Sequence, residues 1–410
     1  MRRAKRTNWK GIAWLVFAAL AALAIALPFV VPLKSWFPQL ELQLSQALGE
    51  PVEFDNLRAG LSPRLYLEAG GVVIGRERDV SAVRLRLYPE LLTLSEPTRN
   101  LQSIELDEVT LGRAAIARFF TGRAVEGGVQ RIRLGRLRAN RVKLDLLDGK
   151  LGDVDIEATF GRENEVTNLI VDAKDRKFKL ELAPGPDAMQ ITFSALDWQP
   201  PILPSIPFER IHAQGQLIGT KLSISEFTAG AYGGDLRGGF EISWGDSCAL
   251  AGRLQATRVD LLRLLRALQS PLPVRGTLEA ELRFVSAANA AAQLLETMKL
   301  DGKFKLANGT LNDFDFPRVI QGAPRDGVRG GQTRFEQLVG NLQTGGGAYR
   351  FTGLRLTSGL MSAVGNIAVA ENGQVSGAMS LELKGSAGVL GSTVLTGGTL
   401  KDPVLLPSGK

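Results

Sequence analysis

The chain has 410 residues, including 46 glycines and 19 prolines, and only 7% of its residues are aromatic. This composition is typical of many short strands joined by tight turns. A single cysteine, Cys248, and a single histidine, His212, exclude an intrachain disulfide, a cysteine-based zinc site and a metal site built from several imidazoles. The net charge of +7 is modest for this length, and much of it lies before residue 11.

The first predicted element is a membrane segment at residues 11–33, which contain no charged side chain. At a rise of about 1.5 Å per residue this helix would be about 35 Å long, enough to cross a bilayer core. The basic tail, residues 1–10, contains no acid, so the positive-inside rule keeps the N-terminus cytoplasmic. A cleaved signal peptide is the alternative, but the apolar run exceeds a usual signal core. We therefore predict an uncleaved single-pass anchor, with everything after Leu33 exported.

Most of the exported chain, from Val52 onward, consists of short segments in which apolar and polar residues alternate. These segments have strand length and most are bounded by Gly, Pro, Asn or Asp, a pattern that predicts a long antiparallel meander. Just before this region a short amphipathic helix is predicted at residues 35–50, with Leu40, Leu44 and Leu48 on one face. Within the β region helices are predicted only at VDLLRLLRALQS, which Pro271 ends, and at residues 288–298. The Pro-rich stretch 197–207 is the best internal boundary, dividing the β region into residues 34–205 and 206–410.

A basic segment, RIRLGRLRANRVKLDL at residues 131–146, raises the question of nucleic-acid binding. Its residues alternate as in a strand with one buried and one solvated face. It has no interleaved aromatic residues for base stacking, and an exported domain rarely meets DNA, so a nucleic-acid partner is not expected. Two interpretations stay open: Arg131 and Arg133 belong to an ordinary solvated face, or they contact anionic lipid headgroups.

The residues that catalysis or metal binding would need are sparse. Four carboxylates cluster in sequence, Asp145, Asp148, Asp153 and Asp155, and a hydrolase that uses two acids would need such a pair. Three of them lie in alternating or turn contexts typical of solvated positions. His212 is expected to be a strand residue rather than a general base. We therefore predict a protein that is not an enzyme, with no catalytic residue, no metal and no cofactor.

The order of these segments resembles the AsmA-like family of inner-membrane-anchored periplasmic proteins, which includes TamB and YhdP. After the anchor, residues 44–75 and 83–111 are similar to the family's opening, with its GxPV turn and P-x-L-L-x-L segment. Residues 333–370 and the closing TGGTLKDPVLLP, with Gly398, Asp402 and Pro403, are similar to the family's C-terminal region. The resemblance covers both ends of the chain and leaves residues 113–205 unmatched.

This resemblance implies a β-taco, a long curved sheet folded into a groove with an apolar inside and a polar outside. It also implies a bacterial inner-membrane protein whose bulk is periplasmic, and which supports outer-membrane biogenesis by carrying phospholipids along the groove. Alternating apolar residues are the candidates for the lining. These are Leu222, Ile224, Phe240, Ile242, Leu381 and Leu383.

Two alternatives stay open beside the lipid groove. The sheet could fold on itself into a packed sandwich with no lumen. The protein could also be a scaffold that assembles outer-membrane proteins by strand addition. About twenty strands spaced about 4.8 Å apart extend at most about 100 Å, so another periplasmic or outer-membrane protein is an expected partner if lipid crosses the whole periplasm.

Overall fold

The computed structural model describes most of the chain between residues 41 and 407. The described ranges are 41–42, 45, 50–60, 64–90, 99–112, 132–146, 149–163, 165–186, 188–200, 206–245, 247–289, 293–322, 324, 326–386 and 388–407. Within these ranges no helix is long and apolar enough to span a membrane. The predicted anchor at 11–33 lies outside the described residues, and so does Arg131.

The described chain is mainly β, with two short helices, which confirms the predicted fold class at this level. It divides into two compact units, Met1–Asp175 (unit 1) and Arg176–Lys410 (unit 2). The predicted boundary at 197–207 falls within unit 2, in the connection between two strands.

Unit 1 contains eight described strands, which pair in the order of the chain after a first strand that lies beside the third. They are β1 (Val52–Glu53), β2 (Asn56–Gly60), β3 (Tyr66–Ile74), β4 (Val80–Pro89), β5 (Arg99–Leu111), β6 (Ile132–Leu146), β7 (Gly149–Phe160) and β8 (Val166–Ala173).

The prediction of an antiparallel sheet is wrong at one place in unit 1. Strands β5 and β6 run parallel, with Leu101 opposite Leu134 and Leu111 opposite Leu144. A parallel pair needs a crossover connection of about a dozen or more residues, and residues 112–131 are long enough to supply it. Alternation marks each of these strands in the sequence, but it carries no information on their relative direction.

Three neighbouring strands of unit 1 each contain a non-glycine residue with positive φ. Glu108 on β5, Arg141 on β6 and Asp153 on β7 all have φ between 53° and 54°, in the left-handed region where non-glycine residues are uncommon. The register shifts beside Val142, which is fully buried. Bulges bend strands and increase their twist, so the two register shifts between β6 and β7 bend these strands locally at Arg141 and Asp153.

Unit 2 contains fifteen described strands, and those from β9 to β16 pair antiparallel with their neighbours in chain order. They are β9 (Phe178–Pro184), β10 (Met189–Trp198), β11 (Phe208–Ile218), β12 (Lys221–Ala231), β13 (Gly234–Ser243), β14 (Cys248–Asp260), β15 (Val274–Ala288), β16 (Lys299–Asn312), β17 (Val328–Arg329), β18 (Gln332–Gly345), β19 (Ala348–Ser358), β20 (Met361–Val369), β21 (Val375–Gly385), β22 (Gly388–Thr399) and β23 (Asp402–Pro407).

The remaining strands of unit 2 continue the meander with one exception. β16 pairs with β18, and the order then runs without interruption to β23. The two-residue β17 pairs instead with β23, through Val328 opposite Leu405 and Arg329 opposite Val404. Among the described residues β9 and β23 do not pair, so the sheet of unit 2 is unclosed.

Two helices cover part of one face of unit 2: α1 (Leu261–Ala267) and α2 (Phe316–Gly322). The Asp260 carboxylate accepts a hydrogen bond from the Arg263 backbone N–H at 3.1 Å and so caps α1. α1 confirms the helix predicted before Pro271. The second predicted helix is not formed in the described residues of 288–298, since β15 extends to Ala288 and residues 294–297 form a turn.

The helices share one apolar core with the second half of the sheet, which we call the helix-covered core. Its buried members are Leu261, Leu265, Leu306, Phe314, Phe316, Val319, Val328, Phe335, Leu338, Leu354, Leu356, Met361, Ala363, Met379, Leu381, Val394 and Leu405. Leu306 on β16 and Leu381 on β21 are four strands apart, which is about 19 Å in a flat sheet. Both pack in this one core, so this part of the sheet curves around the helices.

A buried hydroxyl connects α2 to the sheet. Thr333 on β18 is fully buried; its Oγ1 accepts a hydrogen bond from the Phe316 N–H at 3.0 Å and donates one to the Phe314 carbonyl at 2.5 Å. We expect Thr333→Val to lower the free energy of unfolding by about 1–3 kcal/mol for each buried group left unpaired. Urea unfolding of the variant measures this loss.

The matched control for Thr333 is Thr396 on β22. It is also buried, but its Oγ1 has no hydrogen-bond partner among the described residues. Thr396→Val removes a hydroxyl without breaking a hydrogen bond, so the free energy of unfolding of this variant is expected to be unchanged or slightly raised. Equal losses of unfolding free energy in the two valine variants would contradict the structural role assigned to Thr333.

Candidate functional site

The largest group of predicted lining residues lies on strands β12 and β13. Leu222 is directly opposite Ile242, and Ile224 is directly opposite Phe240. Because side chains alternate along a strand and opposite residues share a side, these four side chains lie on one face of the sheet. Ile224 is buried, and the other three are half-buried.

The same face continues across the next three strands. Ile242 lies opposite Leu250, Leu254 lies opposite Leu282, and Phe284 lies opposite Leu300. All of these side chains are half-buried. We call the set the apolar face, and it consists of Leu222, Ile224, Phe227, Phe240, Ile242, Leu250, Leu254, Leu282, Phe284 and Leu300.

Aromatic rings fill the gaps in this surface. A Cβ placed on Gly252 would lie 2.5 Å from Cζ of Phe284, so the ring occupies the space that a side chain would need there. The rings of Phe227 and Phe240 meet edge to face, with centroids 5.8 Å apart. The apolar face is therefore continuous over five strands.

The described helices lie over other strands. α1 contacts β14 and β15, while α2 contacts β18, β21 and β22. Among the described residues, no member of the helix-covered core comes from β12 or β13. The apolar face thus meets no described helix on these two strands, although it is continuous with strands that the helices do cover.

The structure places Leu381 and Leu383 in a different environment. Leu381 has 1% of its surface exposed and belongs to the helix-covered core, and Leu383 packs against that core. Both are covered by the protein's own side chains. The four residues on β12 and β13 are brought together, whereas these two lie among the residues that hold the helices.

The basic segment forms strand β6 of unit 1. Arg133 on β6 is exposed and makes no ion pair with a described residue. Its neighbours do: Arg136 and Arg138 each approach Glu157 at 3.4 Å, and Arg141 lies 2.8 Å from Glu108. Such exposed pairs contribute little to stability. They are typical of a solvated strand face, and contact of Arg133 with a headgroup stays a prediction.

The carboxylates and His212 form no recognisable catalytic arrangement in the described part of the chain. Asp153 is exposed, and the Asp155 carboxylate accepts a hydrogen bond from the Arg141 N–H at 2.9 Å. Nε2 of His212 lies 3.1 Å from the Gln214 amide nitrogen. No group of three or more His, Cys, Asp or Glu side chains converges there. The side chains of Asp145 and Asp148 lie outside the described part.

Two groups on or beside β12 and β13 have shifted pKa values. The pKa of Glu241, on the polar side of β13, is lowered by a hydrogen bond from Lys221 and by its charge. The pKa of Tyr232 is raised because burial disfavours the phenolate. Tyr232 lies beneath Arg263 of α1, whose guanidinium carbon is 5.5 Å from the ring centroid. Neither Glu241 nor Tyr232 is a member of the apolar face, and no member of that face is titratable.

Sequence reasoning missed part of this face. Phe227, Leu254, Leu282 and Phe284 belong to it as much as Ile242 does. Their segments alternate visibly, and that signal was sufficient to place them on strands. Their side of the sheet depends on the bulge between Ile224 and Phe227 and on the cross-strand register, neither of which alternation reveals.

No family model matches the chain, and no match was found among the curated proteins or the solved structures compared with it.

Proposed function

We propose that the protein is an inner-membrane-anchored periplasmic protein that holds or passes phospholipid acyl chains along its apolar face, in support of outer-membrane biogenesis. The observation that carries the proposal is the continuity of half-buried apolar side chains over β12–β16, with no described helix packed on β12 or β13. A contiguous, partly exposed apolar patch of this kind is typical of a site that binds a ligand or partner. The predicted anchor at 11–33 supports the membrane location.

The energetics favour a hydrocarbon ligand. Each methylene group removed from water contributes about 0.8 kcal/mol, and contacts along Leu250, Leu254 and Leu282 are chemically alike. An acyl chain that shifts by one methylene along such a surface exchanges one contact for a similar one. The apolar face therefore suits holding and sliding of an acyl chain, with no catalytic step.

The helix-covered core sets a limit to the binding surface. Phe304 on β16 is half-buried and packs against this core, and its ring lies 6.1 Å from that of Phe351. Beyond it the same face is filled by side chains of α1 and α2. In our proposal the acyl chain occupies the surface from β12 to Leu300 and ends near Phe304.

A second candidate function is a non-transporting scaffold that assembles outer-membrane proteins by strand addition. The last strand favours it, because β17 pairs with β23 only at Val404 and Leu405. The rest of that edge of β23 has no further strand pairing among the described residues. An incoming strand needs such a free edge.

Photo-crosslinking separates these two functions. A photoreactive side chain at Ile242, on the apolar face, is expected to label phospholipid in membranes. The same group at Glu241, the exposed neighbour that faces the other side, is the matched control and is expected to label none. Labelled lipid is measured by mass spectrometry of the purified full chain.

The result that would overturn the transport proposal is equally specific. If Ile242 and Glu241 give the same background, and native mass spectrometry of the full chain shows no bound phospholipid, the apolar face does not hold lipid. Crosslinks from β23 to an outer-membrane protein in that case would favour the scaffold.

A further inference from the structure

The polar side of the sheet, opposite to the apolar face, contains a hollow of about 760 Å³ that is lined by residues of β13 to β16, β18 and β19. Three arginines on three neighbouring strands line it: Arg237 on β13, Arg253 on β14 and Arg283 on β15. All three are exposed. They are separated from the apolar side chains by the thickness of the sheet.

Two of these arginines are direct cross-strand neighbours. Arg253 lies opposite Arg283, and on its other side it lies opposite Gly239, which has no side chain. Like charges directly opposite each other disfavour strand pairing. The sheet therefore tolerates an unfavourable contact at this position, and an anion bound between the two guanidinium groups would remove it.

The nearby carboxylates do not neutralise this pair. Asp301 lies opposite Arg283, but its Oδ1 accepts a hydrogen bond from the Gln343 amide at 3.2 Å. Within the described chain, none of the three arginines has a carboxylate oxygen within 4.0 Å. On the same side of the sheet Asp235 does pair, with Arg210 and Arg258.

The charges around the hollow favour an anion. Four lining side chains are basic, namely Arg237, Arg253, Arg283 and Lys303, and two are acidic, Glu281 and Asp301. The difference, 4 − 2, leaves a local charge of +2. Guanidinium groups bind phosphate oxygens through two parallel N–H donors each, so two facing arginines present a fork on either side of one phosphate group.

From this arrangement we infer that the hollow is a binding site for a phosphate group, with Arg253 and Arg283 as its direct ligands and Arg237 as a third donor. The ligand class is a phosphate ester or a free polyphosphate. This inference does not rest on the proposed acyl-chain function, because its residues lie on the other side of the sheet.

Calorimetric titration of the purified full chain tests the inference with two probes. Inorganic pyrophosphate represents free phosphate, and dihexanoyl phosphatidylglycerol, kept below its micelle concentration, represents a lipid headgroup. The variant Arg253→Gln/Arg283→Gln is expected to bind at least about tenfold more weakly. The matched control is Arg275→Gln/Arg334→Gln, which removes the same charge from two exposed arginines that both lie opposite Thr310.

A second readout separates binding from a structural role. Without ligand, the melting temperature of Arg253→Gln/Arg283→Gln is expected to equal or exceed that of the wild type, because a like-charge contact is removed. If Arg253→Gln/Arg283→Gln loses binding of pyrophosphate only, the ligand class is free phosphate. If it loses binding of the lipid headgroup, the ligand is a lipid. No binding of either probe to the wild type, or equal binding by both double variants, overturns the inference.

Discussion

Replacing Ile242 with glutamate is expected to reduce the phospholipid that co-purifies with the full chain at least about tenfold, a loss of about 1.4 kcal/mol. Ile242 belongs to the apolar face and lies opposite both Leu222 and Leu250. A carboxylate there would lose water whenever an acyl chain covered it, and an unpaired buried charge costs more than this amount. Lipid extraction followed by quantitative mass spectrometry measures the effect.

The control for this experiment is Val285→Glu on β15. Val285 is also β-branched, and it lies on the polar side of the sheet with 53% of its surface exposed. Its replacement adds the same charge without touching the apolar face, so the lipid content should not change. Circular dichroism and the thermal midpoint verify that both variants fold. Equal lipid content in wild type and Ile242→Glu would contradict the proposed binding surface.

Truncating Leu381 is expected to have the largest effect on stability. Leu381→Ala removes a side chain that is 1% exposed within the helix-covered core, and such substitutions cost about 2–5 kcal/mol because a cavity remains. The midpoint of urea unfolding should fall accordingly. The amount of lipid bound per folded molecule should stay the same, because the helices already cover this part of the face.

Leu390 on β22 provides the control for this loss. It lies directly opposite Leu383 but has 62% of its surface exposed. Leu390→Ala should change stability by no more than about 0.5 kcal/mol. If instead Leu381→Ala removed bound lipid while stability stayed unchanged, Leu381 would line the groove as the sequence predicted, and the cover assigned to α2 would be wrong.

These two experiments distinguish two parts of the apolar side of unit 2, one covered by the protein's helices and one not. Ile242 and Leu381 have the same alternating sequence context, and both lie on the apolar side of their strands. Their expected effects differ because only Leu381 has helix residues packed in the same core. Truncating a structural residue lowers the stability of the protein, whereas changing a ligand-binding residue lowers the amount of bound ligand.

The individual strands were predictable from the sequence. Alternation in KLSISEFTAG and GGFEISWG predicted strands there and made Leu222, Ile224, Phe240 and Ile242 lining candidates, and in the structure these segments form β12 and β13. Period-two alternation depends only on the pleat of a strand. The leucine stripe before Pro271 likewise predicted α1, because a helix that buries one face repeats its apolar residues every three or four positions.

Other features depend on contacts between distant segments. The parallel direction of β5 and β6 is a relation between two separate segments, and the bulges at Arg141 and Asp153 depend on the register between β6 and β7. The pairing of Arg253 with Arg283 depends on the cross-strand register. None of these features leaves a local pattern, since each is a relation between residues far apart in the chain.

The sequence by itself determined that the chain is mainly β, where its strands run, and which residues point to an apolar side, because pleat and helix period act locally. Only the tertiary structure decided which apolar residues the protein covers with its own helices and which it leaves half-exposed. Leu381 and Ile242 have equivalent sequence contexts. They differ because the sheet of unit 2 curves around α1 and α2 at one end, and the volume of those helices fills only that end.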